Sequence, residues 1–175
     1  LFSLACLLRF YLQLFRAHYD NPLSKFLIAV TNFIVLPTRR VIPSWKGFDL
    51  STFFLAWIGQ FLIMVSTSFI QGYELETVSG NTMIGFGLLS LLELVRLTLY
   101  IVMAMVIVQA ILSWINPYSP IAPLLTSFTR PILGIFQRFI PPIANVDLSP
   151  LFVLVAVQLL LMVLTGLQQE IAVLF

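Results

Sequence analysis

The sequence predicts an all-α integral membrane protein of about four transmembrane helices, arranged as two parallel repeats. Three observations predict it: a scarcity of charge, long apolar runs and an internal duplication. Of 175 residues, 60% are hydrophobic and 9% are charged, whereas soluble domains carry about 25% charged residues. A water-facing surface needs more polar cover than that, and a lipid-facing one does not. The mean hydropathy of +1.04 agrees.

The apolar runs fall at residues 1–15, 53–70, 97–115 and 150–167. The first is interrupted by Arg9 and reaches only ~22 Å as a helix, short of the ~30 Å hydrocarbon core. Its expected explanation is a first helix that has lost N-terminal turns. A signal peptide needs a charged start and a small-residue cleavage site, and the run offers neither.

The duplication is read by shifting the chain 98 residues, which lays Asp20–Thr67 on Tyr118–Thr165 without a gap and with 16 of 48 positions identical. Apolar composition alone produces matches of Leu or Val. It does not align Pro22 with Pro120, Arg40 with Arg138, Pro43 with Pro141, Gln60 with Gln158, or Asp49-Leu50-Ser51 with Asp147-Leu148-Ser149. The first unit is assigned residues 1–70 and the second 97–175. Residues 71–96 form a connector and the start of the third helix.

Within each unit, a span leads into a Pro- and Arg-containing loop, then an amphipathic segment. Leu23, Phe26, Leu27, Val30 and Ile34, and in the second unit Ile121, Leu124, Leu125, Phe128 and Ile132, have the spacing of one helix face. The expected segment is about 12–14 residues, too short to span, so it lies at the interface or dips in as a re-entrant piece. Pro37 is expected to end it in the first unit and Pro131 to kink it in the second. The second span of each unit then begins, with Ser149-Pro150 reading as N-cap and first helical position and Ser51-Thr52 in the same role. Met83–Ile115 is longer than one span. Glu93 and Arg96 can pair there at the membrane edge, leaving Gly85 and Gly87 in a flexible or peripheral stretch.

Arg16, Lys25, Arg39, Arg40 and Lys46 flank or occupy the first loop, and Arg130 and Arg138 the second, while the connector Gln71–Thr82 has no Lys or Arg. The positive-inside rule therefore puts both Arg/Pro loops in the cytoplasm of a bacterial plasma (inner) membrane. Glu74, Glu76 and Glu170 fall on the other side. A net charge of +2 with no basic, aromatic-interleaved patch gives nucleic-acid binding no support. Cys6, the single cysteine, makes no internal disulfide and reads as a small apolar residue.

Asp49 and Asp147 are the most suggestive residues. Two equivalent carboxylates at a membrane edge can bind a cation or carry protons. The favoured reading is that they cap helix N-termini and pair with Arg40 and Arg138, nine residues upstream. The pairing reading makes each a latch between the amphipathic segment and the second span. Arg9, Gln13 and Arg16 share a helix face, and Arg9 either serves a function inside the membrane or snorkels to its edge. Gln60 and Gln158 sit mid-span and either line a polar path or bond between helices. His18 is a single polar loop residue where a metal site needs several ligands. The chain carries no Gly-rich phosphate loop, G-x-S-x-G, H-E-x-x-H or C-x-x-C motif, so neither catalysis nor a cofactor is expected.

Arg39-Arg40-Val41-Ile42-Pro43 with Asp49-Leu50-Ser51, and Ile111-Leu112-Ser113-Trp114-Ile115 with Arg138-Phe139-Ile140-Pro141 and Asp147-Leu148-Ser149-Pro150, together resemble the YggT family, also called YlmG. The resemblance covers nearly the whole chain. It implies a small bacterial membrane protein with one or two such repeats and with chloroplast relatives. It also implies links to osmotic-stress tolerance and cell division in bacteria, and to haem attachment to a cytochrome and nucleoid distribution in plastids. It carries no active site. The sequence departs from the family pattern at Ser51-Thr52, where Ser-Pro is usual, and at Gln137-Arg138, where Arg-Arg is usual.

The resulting expectation is a non-enzymatic membrane scaffold or assembly factor whose partners are membrane lipid and other integral membrane proteins, with self-association left open. The alternative is an ion or osmolyte pathway formed by an oligomer.

Overall fold

The computed structural model describes residues 1–15, 21–44, 48–72, 80–116, 118–119, 121–139 and 147–174. Six helices occupy them: α1 (Phe2–Leu14), α2 (Pro22–Val41), α3 (Leu50–Ile70), α4 (Gly80–Ile115), α5 (Ala122–Phe139) and α6 (Ser149–Leu174). Arg16, His18, Asp20, Lys46, Glu74, Glu76, Ile140 and Pro141 lie outside the described residues. Three helices, α3, α4 and α6, are long and apolar enough to cross a membrane, and α1 is a shorter apolar helix.

The two halves pair their helices in the same way. In the first, α1 packs on α3 and α2; in the second, α4 packs on α6 and α5. The halves join where α3 and α1 meet α4. One core runs through this junction and includes Cys6, Leu7 and Val35 with Leu94, Val106, Phe128 and Val157. Phe128 of α5 receives the rings of Tyr11 of α1 and of Phe15 just after it edge-on, at centroid distances of 5.7 and 5.0 Å. The Tyr11 hydroxyl meets that of Thr98 of α4 at 2.9 Å.

Several local expectations are corrected. α2 starts where Asn21 caps it, its side-chain oxygen accepting the Ser24 N–H at 2.8 Å with Pro22 in the first turn. It then runs through Pro37 to Val41, 20 residues rather than a dozen. Proline removes one backbone donor and crowds the preceding turn. Here the lost bond would run to Phe33, and both Pro37 and Phe33 lie on the exposed side, where the packed face is undisturbed. Pro131 is likewise exposed inside α5. Ser51 and Ser149 are not caps: α3 begins after Asp49, and α6 begins at Ser149 itself. Gly85 and Gly87 lie in continuous helix. Gly85 is buried, and the Gly87 carbonyl accepts bonds from the Trp57 indole at 3.2 Å and the Ser90 hydroxyl at 2.8 Å.

The face of α2 is the largest correction. Its buried residues are Ser24, Leu27, Thr31 and Val35, whereas Phe26 is 62% and Phe33 72% exposed. Val30, expected inside, is also exposed, and Thr31 is fully buried. A helix in water turns its apolar stripe inward. α2 turns a mixed stripe of Ser24, Leu27, Thr31 and Val35 inward and leaves the apolar Phe26, Val30 and Phe33 outward, an arrangement that suits a surface covered by lipid. In α5 the expected Leu124, Leu125 and Phe128 are buried, while Ile121 is exposed.

Candidate functional site

Two short polar clusters occupy equivalent positions, one per half. Each joins the C-terminal part of the amphipathic helix to the N-terminus of the following long helix. Asp49, immediately before α3, is fully buried. Its Oδ2 is paired with the Arg39 guanidinium, and its Oδ1 accepts the Ser51 hydroxyl at 2.7 Å. Arg39 also donates to Gln13 Oε1 at 3.2 Å, so one guanidinium ties α1, α2 and the start of α3 together. Burial pushes the Asp49 carboxyl up, but the bonds from Arg39 and Ser51 and the Arg39 charge outweigh it and hold it below its ordinary value.

In the second half, Asp147 Oδ1 accepts the Ser149 N–H at 2.8 Å, and Oδ2 accepts the Gln137 side-chain amide at 2.8 Å. Burial again raises the carboxyl, and Ser149 and Gln137 bring it below its ordinary value. Asp147 is exposed, and it borders a cavity of about 670 Å³ between α4, α5 and α6. Gln109, Ser113 and Trp114 of α4, Leu133 of α5 and Leu148, Leu151 and Leu154 also line it.

The expected Arg40–Asp49 and Arg138–Asp147 pairs are not formed: an Arg–Asp pair joins the helices in the first half with a different arginine, and a neutral amide takes its place in the second. Arg40 and Arg138 are exposed, and no described contact joins them to Asp49 or Asp147. The partners are Arg39 and its counterpart Gln137, ten residues upstream of each Asp. Helix geometry explains the shift. Thr31, Val35 and Arg39 recur every four residues along the packed face of α2, and Arg40 lies ~100° further round.

Arg9 is turned into the protein. It is 7% exposed and donates from Nη1 to Thr31 Oγ1 at 2.7 Å and Asn32 Oδ1 at 2.9 Å, linking α1 to α2. Gln60 lines a small cavity between α3 and α4 with Ser90 and Glu93. Gln158 is exposed and reaches the Met103 sulfur at 3.5 Å. The structure thus brings each Asp to its own half's helix junction. Among the described residues, Asp147 and Gln60 line separate cavities. Among the described residues no group of three or more His, Cys, Asp or Glu is placed to hold a metal ion.

Sequence reasoning missed two features. Thr31 and Thr129 are fully buried equivalents. Each hydroxyl donates to the carbonyl four residues back, at 2.6 and 2.9 Å, and each meets a polar side chain of its half's first helix, Arg9 or Gln109. The signal was present, since Thr31/Thr129 is one of the identical pairs. The second feature joins α4 to α6. Glu93 and Arg96 form the expected pair at 3.3 Å, and Gln168 accepts from Arg96 and donates to Glu93 at 3.0 Å.

The profile of the CCB3/YggT family matches residues 1–70 and 88–168, one segment for each half. The chain belongs to the CCB3/YggT family. It is 33% identical to an uncharacterised Pseudomonas aeruginosa protein over 182 aligned positions, covering 99% of this chain and 90% of that one. It is 32% identical to Escherichia coli YggT over 154 positions, covering 86% and 76% respectively. A Vibrio alginolyticus relative, described as an uncharacterised protein in the proC 3′ region, is 31% identical over 90% of this chain and 84% of its own length. No solved structure matches. The family assignment covers both helix junctions and gives neither an activity.

Proposed function

We propose that this family member is a non-enzymatic scaffold or accessory subunit that packs beside larger integral membrane proteins in a bacterial inner membrane, with the Arg-bearing ends of α2 and α5 on the cytoplasmic side. The observation that carries this reading is the disposition of polar and apolar groups. Polar side chains such as Arg9, Arg39, Asp49 and Thr31 are used inward to lock helices together. The long helices keep apolar residues outward: Leu62 and Ile63 on α3, and Leu159, Leu160 and Met162 on α6, are all at least half exposed. In a bilayer such faces are covered by acyl chains or by other helices, and packing against other helices is what a scaffold does. Links to osmotic-stress tolerance or cell division follow from the kind of complex it joins.

A photo-crosslinking residue at Leu159 should capture one reproducible integral membrane partner, and the same residue at buried Val153 should capture none. Purified protein in liposomes should add no ion or osmolyte leak over empty vesicles. A leak that scales with protein content and disappears in Asp147→Asn would overturn the scaffold reading in favour of a pathway.

A further inference from the structure

The two halves solve one problem differently, and the difference exposes a binding site. In the first half the carboxylate before the long helix has a built-in cation, Arg39, and is sealed. In the second half the same position is Gln137, a neutral donor that satisfies one lone pair and supplies no charge. Among the described residues no Lys or Arg contacts Asp147. The Ser149 N–H and the Gln137 amide reach its carboxylate, where a carboxylate offers about four acceptor positions. It faces the cavity of about 670 Å³, within the ~300–1,000 Å³ range of small-molecule pockets.

The cavity lining is mixed in a particular way. Leu133, Leu151 and Leu154 form apolar walls, and Gln109 and Ser113 add polar atoms. Trp114, 82% exposed, stands at its edge. At the positions equivalent to Gln109 and Ser113, 98 residues earlier, the first half has Tyr11 and Phe15, which pack into the core. Less bulky polar side chains in place of two aromatic rings help leave the space open.

We propose that this cavity is a binding site for an amphipathic organic cation, an ammonium or guanidinium group on an apolar stem. The cationic head meets Asp147 as Arg39 meets Asp49, and the stem lies among the leucines. The Trp114 ring provides a face on which a cation is favoured. The first half is the internal precedent: an arginine side chain is itself a guanidinium on an apolar stem, and it occupies the equivalent carboxylate. This site is independent of the scaffold reading, since a protein that only packs beside others has no need of it.

The test uses the full chain in phosphatidylcholine nanodiscs, with Trp45→Phe and Trp57→Phe so that Trp114 alone reports. Octylguanidinium is titrated against the fluorescence, with octanol as the uncharged control. The expected result is a saturable change with octylguanidinium and only linear, partition-like drift with octanol. Asp147→Asn should weaken binding at least tenfold, and Arg40→Gln should leave it unchanged. Gln137→Arg supplies the internal cation of the first half. It should block binding at least tenfold while keeping or raising the melting temperature, which separates occupancy from misfolding. Competition by phosphatidylethanolamine in the nanodisc would assign the head to a lipid amine, and its absence to a free amphiphile; both support cation recognition. Equal affinity in wild type, Asp147→Asn and Gln137→Arg would overturn the proposal, as would saturable binding of octanol.

Discussion

Asp49 and Asp147 occupy the same place in two copies of one design, and their surroundings have diverged. Asp49 is fully buried, with a guanidinium and a hydroxyl on its two oxygens. Asp147 is exposed, held by an amide and a backbone N–H, and opens on a cavity. One substitution between the copies, Arg39 against Gln137, removes the charge partner. Two more, Tyr11 against Gln109 and Phe15 against Ser113, remove bulk. A duplicated carboxylate is therefore not a duplicated function. In the first half it is a structural fastener, and in the second it keeps unused acceptor capacity beside an accessible space.

The largest expected effect is on the sealed copy. Asp49→Asn leaves Arg39 facing a neutral group in a buried setting. Breaking a buried pair by removing one partner costs ~3–5 kcal/mol. Arg39 is 36% exposed and can turn toward water or headgroups, so the expected loss is reduced to about 1–3 kcal/mol. Thermal denaturation in a mild detergent measures it. A double-mutant cycle of Arg39→Gln with Asp49→Asn should be strongly non-additive, and one of Arg40→Gln with Asp49→Asn should be additive. Equal coupling to both arginines would break the contrast between the packed and exposed faces of α2.

Next come the paired threonines. Thr31→Val keeps the volume and removes the hydroxyl that accepts from Arg9. A lost bond to a buried charged donor costs about 1–3 kcal/mol. Thr129→Val removes a contact to the neutral Gln109 amide and should cost about 1 kcal/mol. Val30→Ser, on the exposed side, should cost less than either. If Thr31→Val and Val30→Ser melt at the same temperature, α2 is not turned as described.

Acid should separate the halves as well. Both carboxyls lie below their ordinary value of 3.8 in the folded chain. A group depressed on folding contributes stability that is complete above its unfolded value and is lost as pH falls through its folded value. The melting temperature should therefore be insensitive to these groups between about pH 5 and 7 and should fall below about pH 4. Asp49→Asn should flatten that acid limb more than Asp147→Asn, because a buried ion pair depends more on ionisation than an exposed, hydrogen-bonded carboxylate.

Much of the frame was legible in the sequence, because the signals were redundant. Few charges, long apolar runs and 16 matched positions all pointed to one duplicated helical plan. The Glu93–Arg96 pair was equally readable, since i, i+3 spacing fixes it within one helix. The face of α2 was legible only in part: Leu23, Leu27 and Ile34 pack inward as expected, while Phe26 and Val30 do not. Reading apolar residues as inward is sound in water, but in lipid the outward side is apolar too, and the informative residues become Ser24, Thr31 and Arg39. The partner of Asp49 was missed for the same reason. Arg40 is the identical pair and drew the assignment, whereas the register of the packed face selects residue 39. The cavity was invisible to single-sequence reasoning, because it arises from what α4 lacks relative to α1 rather than from a motif.

The smallest expected effect on stability is that of Asp147→Asn, and its smallness is informative. Asparagine is a good N-terminal capping residue, and its side-chain oxygen can still accept the Ser149 N–H. The Gln137 amide can still pair with it, because both amides carry donors and acceptors. What is lost is charge at an exposed site, where single ionic contributions run to ~0–1 kcal/mol. The change in melting free energy should therefore stay below about 0.5 kcal/mol, several-fold less than for Asp49→Asn. Differential scanning of the two variants side by side decides it. Matched losses would mean that Asp147 is a fastener like Asp49, with some partner taking the place of Arg39. A near-silent Asp147→Asn would leave that carboxylate without a structural reason to be charged, and the cavity it borders would supply the reason.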